Sequence, residues 1–321
     1  MKEVIVNKND AGQRLDKFLS KYTQNMPQAM LYKSIRKNCV KLNGKHIKDV
    51  GYMLKAGDIL NLYFKDEFFP DHAASEPFMS IKPNIDIVYE DENIILVNKP
   101  AGVNVHADDS GDTNTLIEHL KAYLWQKGEY NPQKEQSFTP ALCNRIDRNT
   151  QGIVIATKNA ESLRIMNEKI KNREIEKFYL LIASGILPKK SGRLSGYIFK
   201  DEKKKIVYVS NTPKKGAKTA VTDYRVIAEA NGNSLVEAKL LTGRTHQIRA
   251  HFASIGHPLL GDGKYGSNKI NRGSGFSHQA LCSYRLIFRF TTDAGILSYL
   301  NNREFKLEDV DFLQQFQKTG L

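Results

Sequence analysis

Apolar and polar positions alternate with three different spacings along the chain. Leu15, Phe18, Leu19 and Tyr22, then Leu31 and Ile35 with Pro27 at the boundary, recur at helical intervals and predict two short helices. Cys39–Lys45 is a short alternating strand that runs into Asn43-Gly44, a hairpin signal, and Gly57-Asp58 marks a second turn before the apolar run Ile59–Phe64. Residues 66–84 lose this pattern: Pro70, Pro77 and Pro83 interrupt a stretch bearing Asp66, Glu67, Asp71 and Glu76, which predicts a linker that lets the first unit move. From Ile85 onward the spacing favours strands. Ile85–Tyr89 and Ile94–Val97 flank a polar turn, and Gly152–Ala156 continues an apolar run. Asn159 is placed to cap a helix carrying Leu163, Met166 and Ile170. Lys177–Ala183 alternates, with Phe178, Leu180 and Ile182 opposite Tyr179 and Leu181; further strands are expected at 206–209, 217–228, 234–241 and 285–290. The stretches 126–137 and 266–276 read as loops. Strands without regular βαβ alternation predict an α+β fold. The expected units are 1–65, a linker at 66–84, and 85–321.

Composition adds a partner to this outline. Net charge is +13, and 11 Lys/Arg against 3 Asp/Glu between Gly12 and Lys65 place an excess of eight in the first unit. A small foldable unit with such a concentration is expected to bind a polyanion. No run approaches the roughly 18 apolar residues of a membrane helix, and the start Met1-Lys2-Glu3-Val4 lacks a secretory pattern. Cys39, Cys143 and Cys282 are far apart and not in Cys-x-x-Cys spacing, so reduced thiols and a cytoplasmic location are expected.

The candidate chemistry centres on Asn144-Arg145-Ile146-Asp147-Arg148-Asn149-Thr150-Gln151-Gly152, where one carboxylate sits between two arginines just before an apolar strand. That arrangement suits an acid held ionised near an anionic ligand; the bland alternative is an exposed ion pair contributing about 0–1 kcal/mol. Arg249 falls early in a helix expected to follow a Thr245 cap, with Ile248, Phe252 and Ile255 on its buried face. The helix dipole disfavours a cation there, so a specific anionic partner is the simplest compensation. Gly261-x-Gly263-x-x-Gly266 matches a dinucleotide fingerprint only formally, because no strand-turn-helix surrounds it. His246, His251 and His257 lack zinc-ligand spacing. Neither a metal nor any other cofactor is therefore expected.

The central stretch resembles the Arg-Leu-Asp signature of pseudouridine synthases of the RluA type, which isomerise uridine in structured RNA. Lys99-Pro100-Ala101-Gly102 with His106, Glu176-Lys177-Phe178-Tyr179, Leu241–His251, Gly256–Asp262 and His278–Leu281 resemble that family's other motifs. Arg14–Leu19, Ile35-Arg36-Lys37, Val40–Gly44 and Gly57-Asp58 resemble the alpha-L RNA-binding module. The likeness spans about residues 12–65 and 85–290, although the family usually has His at Asn144 and Ser at Gln151.

The resemblance implies a mixed, largely antiparallel sheet with flanking helices and a small amino-terminal α/β module. It makes Asp147 the nucleophile or base acting at the ribose, paired with Arg249, and Tyr179 the residue that stacks on uracil and serves the final C5 proton. Arg145 would replace the extruded nucleotide, with Lys99, Arg244 and Leu281 beside the substrate. Arg14, Lys33, Arg36, Lys37, Lys41 and Lys45 would contact phosphates. The expected partner is RNA, in particular large-subunit ribosomal RNA, bound by a monomer without a nucleotide cofactor. A non-catalytic RNA-binding or ribosome-assembly factor on the same scaffold remains the alternative.

Overall fold

The computed structural model describes residues 1–23, 26–69, 76–107, 111–204, 206–272 and 274–318. In the amino-terminal unit, an antiparallel sheet runs in the order β1 (Lys2–Ile5), β4 (Ile59–Leu62), β2 (Val40–Leu42) and β3 (Lys45–His46). Helices α1 (Leu15–Tyr22) and α2 (Gln28–Arg36) bury Leu15, Phe18, Leu19, Leu31 and Ile35 against Val40, Leu60 and Leu62 of that sheet. Asn43 (φ 49°) and Gly44 (φ 79°) both take the left-handed backbone that a tight hairpin requires.

The remaining chain builds one eleven-stranded sheet. Its main path is β11 (Ile206–Ser210), β10 (Ser191–Asp201), β12 (Lys218–Ala230), β13 (Asn233–Leu240), β9 (Ile175–Ser184), β14 (Leu281–Phe288), β8 (Gln151–Thr157), β6 (Ile94–Lys99) and β5 (Asp86–Glu90). Two short strands lie off this path: β7 (Ala141–Leu142) pairs with β8, and β15 (Glu304–Lys306) with β14. Among the described strand pairs only β14–β8 is parallel, so the fold is α+β with a mixed, largely antiparallel sheet.

Both faces of the sheet are covered, which explains why β6 and β8 read as continuous apolar runs. One face sets Ile94, Leu96, Ile153 and Ile155 with Phe178, Leu180 and Ile182, beneath Met166 of α4 (Ala160–Lys171) and Phe312 and Phe316 of α7 (Asp311–Lys318). On the other, Ile95, Val97 and Val154 meet α3 (Leu116–Gln126), while Tyr179, Leu181 and Val236 meet Ile248 and Phe252 of α5 (Gln247–Ser254). Phe178 and Tyr179 thus face opposite layers, as the alternation predicts. Asn159 accepts the Ser162 amide at 2.8 Å and caps α4 as expected.

Several expectations change. Within the supposed linker, Pro70 and Asp71 lie outside the described residues. Phe78 is buried against Tyr130, so the end of that segment belongs to the large unit's core. The two units also meet along a polar seam. Gln136 donates to the Ile5 carbonyl at 2.8 Å, Gln13 to Ser137 at 2.8 Å and Arg164 to the Ala11 carbonyl at 2.9 Å, while Ser137 bonds Asp10. The supposed loop 266–276 contains one helical turn, α6 (Asn268–Asn271). The final main-path strand begins at Leu281 rather than 285.

Candidate active site

Asp147 lies on the loop between β7 and β8, where the ladder stops. Cys143 makes the last rung to the Ile155 carbonyl at 2.7 Å, and the Asn144 side chain then accepts the Ile155 amide at 2.7 Å. The chain turns out, and the Thr150 amide closes back on the Asp147 carbonyl at 3.0 Å. Within the loop Ile146 packs inward beside Tyr179, Ile248 and Leu281, whereas Arg145 is exposed and has no ion-pair partner among the described residues. Gln279 steadies the loop from β14's side, donating to Thr150 at 3.2 Å. Gln151 is used elsewhere: it bonds the side chain (3.2 Å) and amide (3.3 Å) of Asp311 at the start of α7. Asn144 and Gln151, the two departures from the family pattern, therefore both hold backbone in place.

Arg249, in the first turn of α5, reaches this loop from the far part of the sheet. Its Nη1 donates to Asp147 Oδ2 at 2.7 Å. Its other edge forms a fork on Asp262, with Nε to Oδ2 at 2.7 Å and Nη2 to Oδ1 at 2.8 Å. Tyr265 underlies the guanidinium, 5.1 Å from the ring centroid. Burial opposes the charge on Arg249, but Asp262 and Asp147 together hold its pKa above the ordinary value. Burial likewise pushes Asp262 up; the Arg249 guanidinium and the amides of Lys264 and Tyr265 outweigh it and bring the pKa below the usual range. One cation thus lies between two carboxylates. Asp262 is fully buried, while the Asp147 side chain is 25% exposed, so the uncompensated negative charge faces outward on Asp147. Such charge-assisted pairing fixes direction as well as energy.

Tyr179 on β9 sits opposite Ser283 of β14, which in turn pairs with Gly152 of β8. At Gly152 (φ 127°) a Cβ would collide with the Ser283 backbone, so glycine is required for these strands to approach. This rung places the Tyr179 ring with Leu281 in the layer beneath Ile146. Burial pushes the Tyr179 phenol up to about 12; the Ser283 hydroxyl opposes this and the Asp147 charge adds to it. The phenol stays protonated at neutral pH.

Other expected site residues fall differently. Lys99 is fully buried and spends its three protons on the carbonyls of Pro100 (2.7 Å), Val103 (2.8 Å) and Arg148 (2.9 Å). Burial lowers its pKa to about 8, with Asp147 opposing. Lys99 therefore ties the 100–103 turn to the Asp147 loop and has no proton left for a substrate. Arg244 donates to the Thr219 carbonyl at 3.1 Å and braces its own loop. Thr245 is not the cap of α5: His246 occupies that position with a left-handed backbone (φ 52°) and makes no side-chain cap. Gln247 orders the turn instead, accepting from Thr242 at 2.8 Å and donating to the Val221 carbonyl at 3.0 Å. Ile255 is 40% exposed rather than part of the buried face. Asp262, at the end of a stretch that resembles a family motif, and Tyr265 were given no role from the sequence; an acidic residue so near the helix bearing Arg249 was the available signal.

Lys33, Arg36, Lys37 and Lys45 of the amino-terminal unit are exposed, and Arg36 with Lys37 stands at the end of α2, where the dipole favours cations. Lys41 lies over the Tyr63 ring at 5.5 Å. Arg14 is committed to a fork on Asp16, at 3.0 and 2.9 Å, which leaves it less free than the others to bind phosphate.

Residues 93–254 match the model of the RNA pseudouridylate synthases, and residues 13–60 match the S4 domain. The chain is 32% identical over 305 residues to an uncharacterised RNA pseudouridine synthase of Mycoplasma capricolum, covering 94% of this chain and 96% of that one. Its identity to the ribosomal large subunit pseudouridine synthase C of Vibrio vulnificus is 31%, over 84% of this chain and 81% of the relative. Among solved structures, human RNA pseudouridylate synthase domain containing 4 shares the fold, with a TM-score of 0.56, 20% identity, and coverage of 73% of this chain and 92% of the other.

Proposed function

The chain belongs to the RNA pseudouridylate synthase family, and from that premise we propose that it isomerises uridines of large-subunit ribosomal RNA, with Asp147 acting on an extruded nucleotide. The isomerase activity on RNA goes with the family. The ribosomal substrate is supported by the relatives that carry large-subunit synthase names and by an S4 match over a basic module. A cytoplasmic location is supported by the bacterial relatives that carry ribosomal synthase names.

The observation that carries the reading is the Asp147–Arg249–Asp262 arrangement, which leaves one partly exposed carboxylate oriented from behind. Asp147 assists cleavage of the N1–C1′ bond, either by attack on the sugar or by removal of a sugar proton. The freed uracil turns over the Tyr179 ring and bonds to C1′ through C5, which expels the Asp147 carboxylate from C1′ in the first route, while in the second Asp147 returns the proton to the sugar. C5 then loses its proton and N1 regains one, so the product is an isomer and no co-reactant is consumed. A phenol held protonated by burial favours water beside Tyr179 as acceptor of the C5 proton, with the ring serving as a stacking surface. Extruding the uridine costs a few kcal/mol. Arg145 fills the vacancy, a role that its exposure supports, and the basic module supplies binding energy remote from the chemistry.

Pseudouridine mapping of ribosomal and transfer RNA from cells that lack this protein tests the substrate. Loss of signal at one or more large-subunit uridines, restored by the parent chain but not by Asp147→Asn, is expected. Loss confined to transfer RNA would overturn the ribosomal assignment.

A further inference from the structure

His246 and Tyr265 stand beside Asp147 and are unused in the mechanism above. Their rings meet edge-on, with centroids 5.6 Å apart and planes at 87°. His246 Nδ1 lies 2.9 Å from the Tyr265 hydroxyl, and its Nε2 lies 3.9 Å from Asp147 Oδ2. The Tyr265 oxygen already accepts the Val207 amide at 2.9 Å, so its own proton needs an acceptor. Among the described residues His246 Nδ1 is the acceptor within reach. Burial pushes the Tyr265 phenol up to about 12, so that proton stays on oxygen. Burial also draws the His246 pKa below its ordinary value, with Asp147 opposing, which leaves one proton on the ring. With Nδ1 occupied as an acceptor, that proton resides on Nε2, the nitrogen facing Asp147.

We propose that Tyr265 locks His246 in the Nε2–H form, making His246 a positioning residue that offers a second donor to the Asp147 oxygen already held by Arg249. The proposal rests on Asp147 being the reacting group. With both donors directed at Oδ2, Oδ1, which has no hydrogen-bond partner among the described residues, is the oxygen turned toward the ribose. A neutral donor orients the carboxylate without placing a second positive charge beside it. The 3.9 Å gap is beyond a hydrogen bond, and contacts of this type tighten when substrate closes the site.

Single-turnover assays of the full chain on a target transcript discriminate this role from a purely structural one. Asparagine tolerates the left-handed backbone at 246 better than glutamine does, but only glutamine places an N–H near the position of Nε2. His246→Gln is therefore expected to retain most of the rate, while His246→Asn and His246→Ala lose about 10- to 100-fold in the single-turnover rate constant at saturation, with the half-saturating concentration unchanged. Tyr265→Phe, which preserves packing, is expected to lose about tenfold, with no further loss when combined with His246→Ala. Asn matching or exceeding Gln, or losses that add in the double variant, would overturn the positioning role. Should His246→Gln fail to fold by thermal melting, a Tyr265→Phe variant working at full rate would overturn it instead. Asp147→Asn in the same assay separates the two levels: its full activity would remove the parent reading and this one together. Loss of activity there with no preference for Gln removes only the role of His246.

Discussion

The Asp147 site and the amino-terminal module use charge in opposite ways. Around Asp147 one arginine is shared between two carboxylates, and two of the three groups are almost wholly buried. In the module, Lys33, Arg36, Lys37 and Lys45 point into solvent. A buried, forked pair is costly to desolvate and gains by geometric definition. Exposed cations are individually weak and screened by salt, but they add up along a polyanion. Under the proposed function, the first arrangement would serve chemistry at one atom and the second the holding of a long RNA.

The largest expected effect isolates the two. Asp147→Asn should lower turnover by at least about 10³-fold while leaving RNA affinity within about twofold, measured by single-turnover conversion and filter binding. Comparable losses in both quantities would break the division. Arg249→Met comes next. It strands Asp262 in the interior, so turnover should fall by about 100-fold or more and unfolding stability by about 3–5 kcal/mol in denaturant titration. A triple Lys33→Gln, Arg36→Gln, Lys37→Gln variant should weaken binding about tenfold and flatten the salt slope by about 2–3 log units per log unit of salt, with the chemical rate intact. An unaltered slope would place the RNA on another surface. The smallest effect concerns a buried pair away from the reaction, Lys169 with Glu174 at 3.0 Å. Burial alone would raise the Glu174 pKa, but Thr292, Lys169 and the amides of Thr291 and Thr292 bring it down to about 2. A depressed carboxylate contributes its full stabilisation above the unfolded value of about 4.3 and loses it on acidification. Melting temperatures should therefore drop as pH falls from about 4.3 toward 2, and Glu174→Gln should remove that part of the pH dependence without altering turnover at neutral pH.

What could be read in the sequence follows the same division. The strands around the site were legible because each is buried on one or both faces, so Phe178 and Tyr179 could be assigned to opposite layers. That Arg249 needs an anionic partner was legible from an arginine set against the helix dipole, whereas Asp147 as that partner came from the family resemblance. β10 was not, because Gly192, Ser195 and Gly196 interrupt its apolar positions and its outer residues are exposed. β1 is only four residues long and is defined by its pairing with β4. Lys99 illustrates a deeper limit. A lysine after a strand resembles a ligand contact, and only the folded turn brings three carbonyls around its ammonium. Asp262 is similar, since its partner is thirteen positions away across a turn that carries no periodic signal.

The parallel pairing of Gln151 and Gly152 with Cys282 and Ser283, together with the Gln151 bond to Asp311, makes the loop bearing Asp147 dependent on segments translated long after it. A nascent chain that has already made its aspartate and its arginine still lacks the strand that supports them. Until residues 281–288 and 311 have emerged and docked, the loop that carries Asp147 is without the neighbours that brace it.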